Sequence, residues 1–166
     1  EIAPMTGAEW NLRDIRPANH PLLRIAQLAA FLASNDFLID RLVECRTAEE
    51  VRRLFSAEAS DYWYTHYIPA TPTRELPKRI GRMKSDLLGI NLVSLIQYAY
   101  GAYNGNERLR ERAFALLEAI PAEENRFMRR WRLYDLRPAN AFQSQALLQL
   151  ATEYLSLIHI SEPTRH

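Results

Sequence analysis

Three groups of side chains in this sequence have the types and spacing to do chemistry. In "IPATPTRELPKRIGRMK", residues 68–84, Arg74, Lys78, Arg79, Arg82 and Lys84 stand close together against the single acid Glu75. On a segment stiffened by Pro69, Pro72 and Pro77, such a cluster suits phosphate contact at low ordering cost. A charged loop that is merely solvated is the alternative. Just upstream, "DYWYTHY" at 61–67 is the densest aromatic stretch. Trp63 and Tyr64 there have the flat faces on which a base or sugar stacks, and equally the bulk that fills a core. The third group is Arg16, His20, Arg24 and Gln27, a polar stripe on the otherwise apolar "RPANHPLLRIAQLAAFL". Desolvating an unpaired guanidinium costs several kcal/mol. The stripe therefore either joins an internal network, with Asp14 or Asp86 as the carboxylate, or faces a pocket or a partner domain.

Patterns that would define an enzyme are missing from the sequence. There is no glycine-rich phosphate loop, no HExxH, no nucleophile elbow and no Cys/His ligand spacing, so no catalytic residue, metal site or cofactor is assigned. His66 lacks a second ligand at metal spacing. Glu123 and Glu124 are adjacent, and consecutive residues on a helix point about 100° apart, too far to flank a substrate as an acid/base pair. At the start of a helix rich in arginine they suit the helix dipole instead.

The elements that must position these groups read as helices throughout. Pro21 to Ser34 is apolar on most of its circumference, the pattern of a buried helix with a narrow polar stripe. "DFLIDRLVEC" follows in helical register, Thr47 with Glu50 forms a capping box, and a further turn or two runs through the aromatic stretch. The prolines at 69, 72 and 77 interrupt the pattern with the longest loop. Ser85 then caps a long apolar helix to about Tyr103, in which Gly89 and Gly101 imply close approach of another helix. Asn106 opens the next helix, with Leu109, Ala113, Leu116, Leu117 and Ile120 on its apolar face. A helix with Phe127, Trp131 and Tyr134 on one side follows, and a last one starts at Asn140. The expected fold is all-α, a single irregular bundle of six to eight helices with no sheet.

Composition narrows the setting. The 166 residues carry a net charge of +1, so any affinity for nucleic acid must come from local clusters and not the overall field. A single cysteine, Cys45, rules out an internal disulfide and fits a reducing compartment, here taken as the cytoplasm. No stretch has the roughly 20 apolar residues a bilayer span requires, and no membrane partner is expected. The chain begins with Glu1 and not Met, which points to an internal position in a longer protein. "LSLIHISEPTR" at 155–165 reads as the translation of a sequencing adapter, so residues 1–154 are expected to be the native helical domain and 155–166 a non-native tail. The tetrapeptide RPAN occurs twice, at 16–19 and 137–140. Pro21 forces His20 out of helical conformation, whereas Asn140 can itself cap a helix, so the copies read as two helix entrances of different geometry.

In order along the chain, "RPANHPLLRIAQLAAFL", "YWYTHY", "NLVSLIQYAYGAYNGNERL", "LEAIPAEENRFMRRW" and "RPANAFQSQALLQL" resemble the C-terminal helical half of a bacterial domain-of-unknown-function family, DUF2851, over nearly all of residues 10–154. The resemblance implies a longer parent whose N-terminal half is similar to the PD-(D/E)xK nuclease core, with metal-binding "GPD" and "EIH" motifs; this sequence has neither. It supplies no catalytic residue to carry over. Two functions follow as expectations. The first is a structural and interaction module without activity of its own, partnered by the N-terminal half of its parent. The second is a nucleic-acid-binding accessory domain using Arg74, Lys78, Arg79, Arg82, Lys84, Trp63 and Tyr64.

Overall fold

The computed structural model of the chain describes residues 15–155. Asp14 and residues 156–166 of the expected tail lie outside them. The described residues fall into two compact units, one formed by 15–36 with 56–80 and the other by 37–55 with 81–155.

The smaller unit begins with a 3-10 turn at Pro17–Asn19, followed by α1, Pro21–Ala33. His20 is held extended at φ −56° and ψ 132°, as a residue before proline must be, and α1 starts at Pro21 with its ring in the first turn. The aromatic stretch is a 3-10 turn, Asp61–Tyr64, and not the expected helical turns. It leads into strand β1, His66–Ile68, paired antiparallel with β2, Thr71–Pro72. The expectation of no sheet is thus corrected by one small hairpin. Its turn is Pro69-Ala70 with Ala70 at φ 59°, which lacks the Asn-Gly or Asp-Gly signature of a tight hairpin. Among the described residues, Leu23, Phe31 and Ala59 are the buried apolar side chains of this unit, joined by buried Gln27, Asn35 and Lys78. Polar groups therefore do much of the holding.

The larger unit is helical: α2 Leu38–Glu44, α3 Ala48–Leu54, α4 Arg82–Leu88, α5 Ser94–Tyr103, α6 Glu107–Ala119, α7 Arg126–Arg132 and α8 Ala141–Gln149. The capping box of α3 is formed, with Thr47 Oγ1 accepting from Glu50 N and Glu50 Oε2 from Thr47 N. A π-helical turn, Gly89–Val93, joins α4 and α5 into one continuous run that starts at Arg82 and not at Ser85. The wider turn shifts the helix phase, so Asn91 is exposed while Ser94 and Gln97 are buried. A Cβ at Gly89 would stand 2.6 Å from Ile120 Cδ1 and 3.2 Å from Val51 Cγ1, and one at Gly101 would stand 3.0 Å from Arg110 N. Both glycines are thus where neighbouring helices touch the backbone. Val51, Val93, Leu116, Ile120 and Met128 fill the core without measurable exposure.

Two local expectations need correction. Glu123 and Glu124 precede α7 and are not in its first turn, because Asn125 takes the cap by accepting from Phe127 N and Met128 N. Tyr134 is exposed, past the end of α7, so the expected face of Phe127, Trp131 and Tyr134 does not form as one surface. The second RPAN does end in a cap: Asn140 Oδ1 accepts from Gln143 N at 3.0 Å, while Gln143 Oε1 accepts from Ala139 N at 2.8 Å.

Candidate functional site

The polar stripe is set by the helical spacing of α1, and the smaller unit turns most of it inward. Arg24 lies one turn into the helix. Its Nη2 donates to Ala18 O at 2.6 Å and Asn19 Oδ1 at 2.9 Å, and its Nη1 to Gln27 Oε1 at 2.5 Å. The guanidinium therefore closes back on the preceding 3-10 turn and meets neutral acceptors, and burial pulls it below its ordinary pKa. Asp86, one of the two expected partners, is instead held by Arg52, whose Nε and Nη2 donate to its two oxygens at 2.7 and 3.0 Å. Gln27 is 2% exposed, and its Nε2 donates to Lys78 O at 2.7 Å across 51 positions of sequence. His20 Nδ1 is buried without a hydrogen-bond partner among the described residues, and Arg16 is exposed.

The stripe thus meets the cationic segment, but at its backbone. Lys78, expected on an exposed loop, is only 4% exposed. Its Nζ donates to Tyr64 O at 2.9 Å and Leu76 O at 3.0 Å and lies 4.2 Å from the centroid of the Tyr67 ring. Burial lowers its pKa as well. Arg79 pairs with Glu58, and the Tyr64 hydroxyl donates to the same carboxylate. The Tyr64 donor first, and the Arg79 guanidinium after it, hold Glu58 below the usual carboxylate range. Arg74 is exposed, and its guanidinium has no hydrogen-bond or ion-pair partner among the described residues. Arg82 and Lys84 belong to α4 in the other unit. Trp63 is half-buried with Tyr62 packed edge-on at 5.4 Å, and Tyr62 stacks on His66 at 4.3 Å. The seven residues expected to form an anion and base-stacking surface are therefore divided: Lys78, Arg79 and Tyr64 are tied into one internal network that includes Glu58. Glu58 had no signal in the sequence, since it sits 21 positions from Arg79, the cation it pairs with.

The opposite side of α1 differs most from expectation. Its apolar circumference reads as a buried helix, yet Leu22, Ile25, Leu28 and Leu32 are 42%, 49%, 54% and 51% exposed. With Ala29 and Ala33 they are all of the exposed positions of this helix, and none is polar. The spacing of these residues was legible; which face lacked cover was not. Among the described residues, no single helix is long and apolar enough to cross a membrane.

The described residues are predominantly helical, with polar side chains that bond to the chain's own backbone and a first helix that is apolar on its outer face. Over residues 1–126 the chain matches the family described as Protein of unknown function (DUF2851), and it belongs to that family. The match stops at Arg126, short of α8 and the second RPAN. No curated protein and no solved structure matches the chain.

Proposed function

We propose that this chain is the helical structural and interaction module of a longer bacterial, cytoplasmic protein, without activity of its own, and that the outer face of α1 is covered by the N-terminal half of that parent chain. The observation that carries the reading is the exposed Leu22, Ile25, Leu28 and Leu32 row on a unit with few buried apolar side chains of its own. Such an outer face calls for a second apolar surface, because each half-exposed aliphatic chain forgoes roughly half of the 1.5–3 kcal/mol that full burial gives. The face carries no charge, so its partner is apolar there too. The nucleic-acid reading draws on cations of which Lys78 and Arg79 already have internal partners, and it is not adopted.

The test is to titrate the separately produced N-terminal half of a full-length family member into the chain and follow assembly by light scattering. A one-to-one complex is expected. Ile25→Asp with Leu28→Asp should weaken it at least about a hundredfold, since charge is then buried unpaired, while helical content stays at the wild-type level. No complex, a complex indifferent to the double substitution, or a homodimer that the substitution dissolves would each overturn the proposal.

A further inference from the structure

The larger unit contains a cavity of about 470 Å³ between α4 with its π turn and the segment 121–125. That volume falls in the range of small-molecule sites. Met83, Leu87, Ile90 and Pro121 give it an apolar wall. Its charged groups are less ordinary than their number suggests. Asp86 is neutralised by Arg52 and Glu124 by Arg132, which leaves two groups of opposite sign. Glu123 Oε2 accepts from Gln145 Nε2 at 2.8 Å, and its backbone N–H donates to the buried Ser144 Oγ at 3.2 Å. No basic group among the described residues lies within ion-pair reach of Glu123, nor any acid within reach of Arg82. The two line one cavity without pairing with each other.

An acid and a base that line one cavity with an apolar wall and do not pair with each other are complementary to a small molecule bearing both charges and an apolar body. We propose that the cavity binds a free α-amino acid with an apolar side chain, its ammonium on Glu123, its carboxylate on Arg82 and its side chain against Met83, Leu87, Ile90 and Pro121. Burial raises the pKa of Glu123, which is the cost that an arriving ammonium would offset. The carboxylate of the ligand suits the planar fork of a guanidinium, which bonds it through two parallel N–H groups. The proposal is independent of the surface assigned to α1.

Calorimetric titration of the 166-residue chain with leucine, leucinamide and N-acetyl-leucine tests it. Leucine should bind at one saturable site, and each analogue, lacking one charge, at least about tenfold more weakly, as loss of a charge-assisted hydrogen bond requires. Glu123→Gln should erase the preference for leucine over N-acetyl-leucine, and Arg82→Gln the preference over leucinamide. Failure of leucine to saturate below about 10 mM, analogues that bind as well as leucine, or preferences untouched by the two substitutions would overturn it. The analogues report on wild-type protein, so the test does not depend on the variants folding.

Discussion

Replacing Gln97 with leucine should destabilise the larger unit although it puts an apolar residue in an apolar core. Gln97 has no measurable exposure. Its Nε2 donates to Leu42 O at 3.0 Å, Val43 O at 3.3 Å and Cys45 O at 2.6 Å, the carbonyls at the end of α2 that no intrahelical N–H can reach. One amide nitrogen has two hydrogens, so three carbonyls share two donors. Val43 O also accepts from Arg112 Nη1 at 3.1 Å and keeps that bond in the variant. Leu42 O and Cys45 O lose their side-chain donor. Each orphaned acceptor costs about 1–3 kcal/mol, and removing Gln97 Oε1, itself buried without a partner among the described residues, returns about as much as one of them. The net loss is about 1–3 kcal/mol, or roughly 2–12 °C in melting temperature for a chain of this size. Urea unfolding followed by circular dichroism, with an unchanged slope, measures it. A loss under about 0.5 kcal/mol, or a gain, would refute the claim that these carbonyls depend on Gln97. Gln97→Glu sharpens the test, since a carboxylate there faces carbonyl oxygens with nothing to donate. Its folded pKa should rise above the unfolded value of about 4.3, so the variant is least impaired below that pH and loses stability as pH rises through the folded value. The opposite pH trend would count equally against the reasoning.

Two further outcomes follow from buried groups. Lys78→Ala leaves Tyr64 O and Leu76 O without their ammonium donor and should cost about 1–3 kcal/mol of stability in thermal melts, while retention on a phosphate-bearing column stays at the wild-type level; lost retention with unchanged stability would restore Lys78 as an anion contact. Burial first, then Glu50 and Glu44, push the Cys45 thiol up to about 11, so alkylation at pH 8 should run on the order of a hundredfold slower in the native chain than in denaturant, and equal rates would show the site to be open.

What was legible in the sequence was whatever is written in side chains near one another. The capping residues Thr47 with Glu50, Asn106 and Asn140, the start of α1 at Pro21 and the close contacts at Gly89 and Gly101 all rest on local rules, and the structure forms each of them. The hairpin was hidden because Pro69-Ala70 replaces the usual turn residues. The π turn at Gly89–Val93 was hidden because one residue inserted into a helix changes no letter of the pattern. The fate of the cations was hidden for a different reason. Lys78 bonds to the carbonyls of Tyr64 and Leu76, and every residue has a carbonyl, so no spacing of side chains announces such an acceptor.

Gln27 and Gln97 make the same point for the fold as a whole. Each is a polar residue on a mostly apolar helix, each is buried, and each sends its amide to backbone carbonyls more than fifty positions away, Lys78 O in one unit and Leu42 O and Cys45 O in the other. Hydrophobic contact alone would bring these segments together without fixing their register, since burial is non-directional. A hydrogen bond inside a core is directional and expensive to leave unmade, so each glutamine selects one placement of the segment it holds. In the smaller unit that segment carries Lys78 and Arg79, which draw in Tyr64 and Glu58 in turn. Gln27 is therefore the residue of the α1 stripe that ties it to the cationic segment, at Lys78, and in this unit the two features that looked like separate sites in the sequence form one structural joint.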